Sequence, residues 1–394
     1  MRDEVDARCE SAALSVPGAG NTLRPQVDER LLTEKLIGYD TSDPEGIRLC
    51  AGFVKAWLEA RDIETMEMTV RGLPVLIADA GPDQGALTLL LHGHIDVVPG
   101  LPEQFRPRAE GERLYGRGAY DMKGALAALM LALVDLRDQR QRAVRVRLGV
   151  VPDEESEEET ERGGELLVAQ GFVGDFAITG EPTDLHIGVA AKGVFAMRIV
   201  VEGRAAHGAT PWLGDNAILR AMEVFREIES LPFARQSSEL FDRPSINLGR
   251  ILGGDALNKV PDTCVIDVDV RYLPEQEPSE ILSEVSSIPG ARVVSTFTRP
   301  PVTVDPESSF VRALCDAAAP FHAGEVRGIG RDGASDAVSF LRVGVPAVEF
   351  GPRGGGHHGP DEWVSLPSLA AYRRAISSFV DILGRGGDGG GPRA

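Results

Sequence analysis

Cysteine is scarce in this sequence, and its four cysteines lie far apart, at positions 9, 50, 264 and 315. No two of them form a CxxC pair, so neither a thiolate metal site nor a disulfide framework is indicated. A chain that does without disulfides suits a reducing compartment. The sequence therefore predicts a cytoplasmic protein.

Basic residues and long apolar runs are also in short supply. The chain has 41 lysines and arginines against 60 aspartates and glutamates, a formal charge of -19. This excess of negative charge disfavours a nucleic acid or an anionic membrane as a partner. No apolar run approaches the length that spans a bilayer, and residues 1–6 lack the basic start and apolar core of a signal peptide. We therefore expect no nucleic-acid partner and no membrane partner.

Strand-like and helix-like segments, in contrast, are plentiful and alternate. With 394 residues, 43% of them hydrophobic, the chain is long enough for two domains with a sizeable core. We predict flexible tails at 1–21 and at the glycine-rich 385–394. In the parts 22–192 and 301–384 the predicted elements are helices at 25–39, 46–60, 125–136 and 310–319, and strands at 65–70, 74–79, 86–91, 144–151, 175–179 and 346–350. This order predicts an α/β domain with a mostly parallel central sheet flanked by helices.

Residues 193–300 interrupt this pattern. Their periodicity predicts strand 194–201, helix 216–231, strands 245–252 and 265–272, helix 279–288 and strand 291–298. The order β-α-β-β-α-β is that of the ferredoxin-like arrangement. We therefore predict a second, inserted α+β domain in this stretch.

Histidines and carboxylates follow the predicted strands. His92, His94 and Asp96 come at the exit of strand 86–91. Alternate residues of an extended chain share a face, so imidazole lies beside carboxylate there, ready to bind a metal or to relay a proton. A packed or solvated histidine is the alternative, and partners at other strand ends decide between the two.

Such partners occur farther along the chain. Carboxylates or histidines stand ahead of helix 125–136 and after three further strands, namely Asp121, Glu154, Glu155, Glu181, His357 and His358. Taken singly, Asp121 could be an N-cap, and the two histidines could be surface residues of a glycine-rich loop. Because the carboxyl ends of parallel strands meet in one crevice, however, these groups can converge, and so many acids in one place need a cation. The sequence therefore predicts a metal site with more than one ion.

Five motifs, in order along the chain, carry a resemblance to a known family. They are His94-Ile95-Asp96-Val97-Val98-Pro99, Gly116-Arg117-Gly118 with Asp121-Met122-Lys123-Gly124, Asp153-Glu154-Glu155, Gly180-Glu181-Pro182-Thr183, and His358 through Glu362. With these motifs the chain resembles the M20 family of metallopeptidases and amidohydrolases, over roughly residues 32–383. That family includes acetylornithine deacetylases and succinyl-diaminopimelate desuccinylases.

The resemblance implies two divalent metal ions per chain in a metal-dependent catalytic domain. The ligands that it implies are His94, Asp121 and Glu181 for one ion, and Asp121, Glu155 and His358 for the other. His358 is preferred to its neighbour His357 because of its register with Glu362. Imidazole and carboxylate ligands suit Zn²⁺ best, with Co²⁺ or Mn²⁺ as workable substitutes.

The resemblance also assigns the residues around the ions. It implies that Asp96 orients His94, that Glu154 is the general base, and that the Asp121–Met122 peptide bond is cis. Two ions lower the pKa of a shared water, Glu154 takes its proton, and the hydroxide attacks an amide carbonyl. Glu154 then hands the proton to the leaving amine.

Three further assignments concern the inserted domain. The resemblance nominates His207 as donor to the tetrahedral oxyanion, reaching in from the partner of a homodimer, so the inserted domain would act in dimerisation and as a lid. It assigns Arg271 to a substrate carboxylate, which a guanidinium fork fits well, and Asn258 to a polar contact. Outside this context His207 is typical of a surface or turn residue, Asn258 of a turn, and Arg271 of the partner of a neighbouring acid.

Together these features predict a dinuclear metal-dependent amidohydrolase acting on a small N-acyl amino acid, of the deacetylase or desuccinylase type. Glu181, in place of an aspartate, favours this branch over the aminopeptidases of the family. A carboxypeptidase or dipeptidase acting on short peptides is the closest alternative. A non-catalytic dimeric binding protein is the alternative from another class, but such a chain should have lost Glu154 or a metal ligand, and none is missing.

Overall fold

The computed structural model describes residues 28–82, 87–137, 143–156 and 161–386. The predicted tail 1–21 lies outside these ranges, as do residues 387–394 of the other predicted tail.

The helices are α1 (Glu29–Ile37), α2 (Pro44–Glu59), α3 (Gly124–Arg137), α4 (Gly163–Ala169), α5 (Ala217–Ile228), α6 (Pro278–Ser286), α7 (Ser309–Ala318), α8 (Ala337–Leu341) and α9 (Leu366–Gly386). The strands are β1 (Thr65–Val70), β2 (Leu73–Ala80), β3 (Leu87–His94), β4 (Arg108–Glu110), β5 (Arg113–Tyr115), β6 (Val144–Val151), β7 (Phe176–Thr179), β8 (Ile187–Ala191), β9 (Gly193–Glu202), β10 (Ser245–Gly253), β11 (Thr263–Tyr272), β12 (Arg292–Arg299), β13 (Val302–Thr303), β14 (Gly328–Arg331), β15 (Ala347–Glu349), β16 (Gly354–Gly355) and β17 (Trp363–Ser365).

The largest sheet confirms the predicted α/β fold. Its strand order is β1-β2-β6-β3-β7-β15-β8-β13, and β14 pairs with β8. The middle strands β6, β3, β7 and β15 run parallel, whereas β1 and β2 add an antiparallel edge. Parallel neighbours require long crossover connections, which here contain helices. The carboxyl ends of the parallel strands consequently open at one edge of the sheet.

Helices cover both faces of this sheet because its strands are apolar on both sides. Leu89 and Leu91 of β3 pack into the cluster around α3, α7 and α9, while Leu90 between them belongs to a second cluster that includes Phe340 of α8. Helix α3 is buried without interruption from Gly124 to Leu133, and it packs against α1 and α9 as well as the sheet. A helix that is apolar all round is stable only when it is covered on every side.

A separate four-stranded sheet has the order β10-β11-β9-β12 with antiparallel neighbours throughout. Helices α5 and α6 cover one face, where Met197 and Ile199 of β9 join their core. This is the ferredoxin-like arrangement that the sequence predicts. Its first helix starts where the periodicity placed it, because the side chain of Asn216 caps α5 by accepting from the N–H groups of Ile218 and Leu219.

Several short elements could not be predicted from the sequence. The small sheet β16-β17-β5-β4 is built of strands of two or three residues, which are too short to show a period. Helix α9 continues to Gly386, two residues into the predicted tail 385–394. Among the described helices, none combines the length and the apolar character needed to cross a bilayer.

Candidate metal centre

Neighbouring strands of the large sheet deliver the candidate metal ligands to one edge. Strand β3 ends at His94, and its parallel neighbours β6 and β7 end at Val151 and Thr179. The loops that follow β6 and β7 carry the glutamates of the Asp153-Glu154-Glu155 and Gly180-Glu181 motifs. The predicted convergence at the strand exits is therefore present in the structure.

The first ligand group consists of His94, Asp121 and Glu181, all buried. The Nε2 atom of His94 lies 3.0 Å from Asp121 Oδ1 and 3.7 Å from Glu181 Oε1. Ligands about 2.0–2.1 Å from one tetrahedral zinc ion are about 3.3 Å apart. These separations therefore fit three donors around a common cation.

The second group joins the bridging aspartate to the C-terminal histidines. The Nε2 atom of His358 lies 2.9 Å from Glu155 Oε1 and 3.3 Å from Asp121 Oδ2. His357, which the sequence analysis left unassigned, also approaches Asp121 Oδ2, at 2.5 Å. Asp121, His357 and His358 offer donor atoms within 4.8 Å of one another, a grouping that could also hold an ion. The neighbouring histidines thus both reach Asp121, and only His358 also reaches Glu155.

The backbone around Asp121 is held by a buried glutamate. Glu362 accepts hydrogen bonds from the N–H groups of Gly118, Tyr120 and Asp121 and from Nη1 of Arg117, at 2.8–3.1 Å. The Asp121–Met122 peptide bond is cis, as the resemblance implies. Asp121 is not a simple N-cap, because its two carboxylate oxygens face histidines.

Asp96 connects the first ligand to the glutamate loop. Nδ1 of His94 lies 3.0 Å from the main-chain oxygen of Asp96 and 3.4 Å from its carboxylate. The same carboxylate accepts from the N–H groups of Glu154 and Glu155 at 3.2 and 2.8 Å. One residue therefore fixes both an imidazole and the loop that holds the candidate base.

The buried acids of this cluster need cations to balance their negative charge. Burial and the negative charge of Asp336 raise the pKa of Glu154 to about 8, and burial together with Asp121 raises the pKa of Glu181. Burial opposes a charge on His94, but the carboxylates of Asp121 and Asp96 outweigh it and raise the pKa of its imidazole. The positive charge of the nearby histidines is too small to balance so many buried acids. A pair of divalent ions would supply the missing positive charge. The donor set of imidazoles and carboxylates fits such ions.

His92 takes no part in this cluster, although it precedes His94 by two residues. Its side chain is buried, lies 3.7 Å from a carboxylate oxygen of Asp336, and packs edge-on against Phe340. Neither ring nitrogen has a hydrogen-bond partner among the described residues. Burial lowers the pKa of His92 to about 4, so the ring is neutral at pH 7.

The ligands open into a cleft of about 350 Å³, lined also by arginines. Arg271 is one of them, and its Nε donates to Asp269 at 2.9 Å, so it both pairs with a neighbouring acid and faces the cleft. Three others, which the sequence did not predict, are Arg162, Arg299 and Arg331. Each comes from a loop or strand end with no motif of its own, and only the tertiary fold brings them together.

The structure does not bring His207 and Asn258 to this cleft. Both side chains are exposed. They lie beside each other, since His207 pairs with Lys259 in an isolated β-bridge and the N–H of Gly208 donates to the main-chain oxygen of Asn258 at 2.7 Å. No described contact joins either residue to the ligand groups of the same chain.

The chain is also similar to known proteins. Residues 90–384 match the model of peptidase family M20/M25/M40. A succinyl-diaminopimelate desuccinylase of Paracidovorax citrulli is 30% identical, over 88% of this chain and 96% of the relative. A probable succinyl-diaminopimelate desuccinylase of Staphylococcus aureus strain MSSA476 is 27% identical, over 86% of this chain and 94% of the relative.

Solved structures show the same fold. A tripeptidase from Staphylococcus aureus superposes with a TM-score of 0.74 at 19% identity, covering 91% of this chain and 98% of the other. An M20 family metallo-carboxypeptidase from Sulfolobus solfataricus superposes with a TM-score of 0.73 at 19% identity, covering 91% and 99%.

Proposed function

Because this chain belongs to peptidase family M20/M25/M40 and is a hydrolase of amide bonds, we propose that it is a dinuclear metal-dependent amidohydrolase that removes the acyl group of a small N-acyl amino acid. The observation that carries the proposal is the convergence of His94, Asp121, Glu181, Glu155 and His358 beside Glu154 in one cleft. The relatives named as desuccinylases support this class of substrate.

His94, Asp121 and Glu181 would hold one ion, and Asp121, Glu155 and His358 the other. When bound, two such ions polarise the amide carbonyl and lower the pKa of water. Zn²⁺ is the ion that the ligand set favours, and Co²⁺ or Mn²⁺ would serve in its place.

Glu154 is the residue that moves the proton in this proposal. It lines the cleft, and its N–H donates to the carboxylate of Asp96. Its raised pKa lets it hold a proton near neutral pH, and nearby cations lower that pKa towards the working range of a general base. Glu154 would therefore accept a proton from the attacking water and deliver it to the leaving amine.

The exposed position of His207 supports a role in a homodimer. An imidazole that does not reach the cleft of its own chain can contribute to catalysis only in the cleft of a second chain or after a large movement. We infer that His207 donates to the oxyanion in the partner's cleft, with Asn258 beside it in contact with the substrate.

The direct test is to assay the purified protein, loaded with Zn²⁺ or Co²⁺, against N-acetyl and N-succinyl amino acids and against dipeptides. Metal-dependent hydrolysis of the N-acyl amino acids supports the proposal. Hydrolysis of dipeptides alone would identify a peptidase instead, and metal binding without hydrolysis would identify a binding protein.

A further inference from the structure

The loop between β16 and β17 brings two neighbouring histidines to the same carboxylate. The Nε2 atoms of His357 and His358 lie 2.5 and 3.3 Å from Asp121 Oδ2, and the donor atoms of these three residues lie within 4.8 Å of one another. Both histidines line the cleft. The ligand set that the resemblance implies uses only His358, so the role of the other imidazole is open.

A tight turn directs both imidazoles to the same place. The main-chain oxygen of Gly356 accepts from the N–H of Gly359 at 2.7 Å, so the two histidines are the central residues of this turn. His358 has a φ of 57°, in the left-handed region that favours glycine. The turn leaves 4.3 Å between the centroids of the two rings, which are tilted by 79° to each other. A histidine kept in such a backbone conformation points to a use for its side chain.

Packing holds His357 in place although its side chain is 43% exposed. The ring of Tyr120 packs edge-on against it, with 6.1 Å between the ring centroids, and the hydroxyl of Tyr120 donates to Asp184 at 3.1 Å. The same carboxylate accepts from the N–H of Gly354 at 3.3 Å. The imidazole is therefore oriented in advance towards Asp121, which lowers the entropic cost of binding a cation there.

On the basis of the proposed function, we propose that His357 is a further ligand of the second metal ion. Together with Asp121, Glu155 and His358, it would give this ion four protein ligands, two of them imidazoles. The first ion would have three protein ligands, one of them an imidazole. Since imidazole suits Zn²⁺ and carboxylate suits Mg²⁺ or Mn²⁺, the added imidazole favours Zn²⁺ in the second position.

Proton NMR of the protein with two equivalents of Co²⁺ per chain counts the bound imidazoles. A ring that binds Co²⁺ through Nε2 keeps its proton on Nδ1, and the paramagnetic ion shifts this proton far outside the ordinary spectrum. Spectra recorded in the cold, where exchange with water is slow, should show one such signal each from His94, His357 and His358. Transfer to D₂O should remove the signals, because these protons exchange.

The variant His357→Gln separates a metal ligand from a hydrogen-bond donor. Glutamine keeps an N–H group that can donate to Asp121, but it is not among the usual ligands of Zn²⁺. The variant should lose the His357 signal and bind one of its two Zn²⁺ ions roughly a hundredfold more weakly or worse, measured by competition with a chelator. That loss exceeds the roughly ten- to hundredfold that removing a partner of a ligand costs. If His357 only donated a hydrogen bond, glutamine would preserve most of the affinity.

Two further variants serve as controls. His358→Gln should lose one signal and weaken the same ion. His322→Gln changes a ring that packs against His186 instead, so it should alter neither the signals nor the affinity. Neither readout depends on hydrolysis, and the count of signals in the wild type needs no variant.

A wild type that shows only the signals of His94 and His358 would overturn this inference and leave the proposed function standing. Wild-type affinity for both Zn²⁺ ions in His357→Gln would do the same. A wild type that binds fewer than two ions per chain would overturn the two-metal centre of the proposed function, and this inference with it.

Discussion

At the scale of single residues, Glu154 and Glu155 differ in role although their N–H groups bond to the same carboxylate of Asp96. The side chain of Glu155 reaches His358 at 2.9 Å, whereas that of Glu154 faces the cleft beside Arg299. The two glutamates lie in the turn that follows β6, and this turn brings Glu155 to His358 and leaves Glu154 on the wall of the cleft.

We predict that Glu154→Gln keeps both metal ions and lowers kcat by roughly 10²–10⁴, because proton transfer is lost while the ligand set is intact. Glu155→Gln is the matched variant, and it should lose one ion. Elemental analysis gives the metal content of both variants, and an assay with the substrate of the wild-type protein gives their kcat. Equal loss of metal in the two variants would contradict the separation of roles.

His92 makes the stability of the metal-free protein depend on pH. Burial lowers its pKa to about 4 in the folded state, against about 6.5 in the unfolded chain. As the pH falls below 6.5 the unfolded state binds the proton first, so the free energy of unfolding decreases until the folded state also protonates near pH 4. The loss from this residue amounts to about 3 kcal/mol.

Urea unfolding of the metal-free protein between pH 7 and pH 4 measures this effect against the variant His92→Phe, whose ring would pack beside Phe340. The wild type should lose stability relative to the variant across the window. Because the acids of the metal centre titrate in both proteins, the difference between them isolates His92. Parallel pH profiles would show that the imidazole does not titrate as its burial requires.

At the scale of elements, Glu362 in the loop before β17 holds the segment that carries Asp121. It is buried, pairs with Arg117, and accepts three backbone N–H groups. We predict that Glu362→Gln weakens metal binding at least tenfold and destabilises the protein by about 3 kcal/mol, because Arg117 is left as a buried charge without its partner.

Calorimetric titration with metal measures the binding affinity, and thermal unfolding measures the stability. Glu112→Gln, an exposed glutamate preceding the neighbouring strand β5, should change neither. A Glu362 variant with wild-type metal affinity would mean that the ligand loop keeps its shape without this carboxylate.

The elements also show what the sequence could predict. Strands β1 and β6 occupy the predicted residues 65–70 and 144–151, because both runs are rich in apolar and β-branched residues. The glutamates and histidines of the metal centre were predicted because they directly follow strands that the sequence also predicts. Arg299 and Arg331 were not, since each ends a strand far from the ligands in sequence and reaches the cleft only through the tertiary fold. His357 shows a further limit, because neighbouring histidines in one loop are alike in sequence and differ only in the partners that they meet.

At the scale of the whole molecule, the separation of His207 from its own cleft leads to a prediction about assembly. If the protein is a homodimer with His207 acting across the interface, His207→Ala should lower kcat by roughly 10²–10³ without loss of metal. A mixed dimer of His207→Ala and Glu154→Gln chains should regain activity, because one of its two sites has both groups intact.

Co-expression of the two variants with different tags, purification of the mixed dimer and an activity assay test this directly. Each variant alone, prepared in the same way, is the control. A verified mixed dimer without recovered activity would mean that His207 acts within its own chain or takes no part.

We propose that the converging histidines and carboxylates form a two-metal centre that performs the hydrolysis. Activity measured as a function of metal bound per chain, starting from the chelated protein and adding Zn²⁺ or Co²⁺, tests this proposal. We expect no hydrolysis of an N-acyl amino acid without metal, and full recovery at two equivalents per chain. Full activity with less than one ion per chain would contradict it.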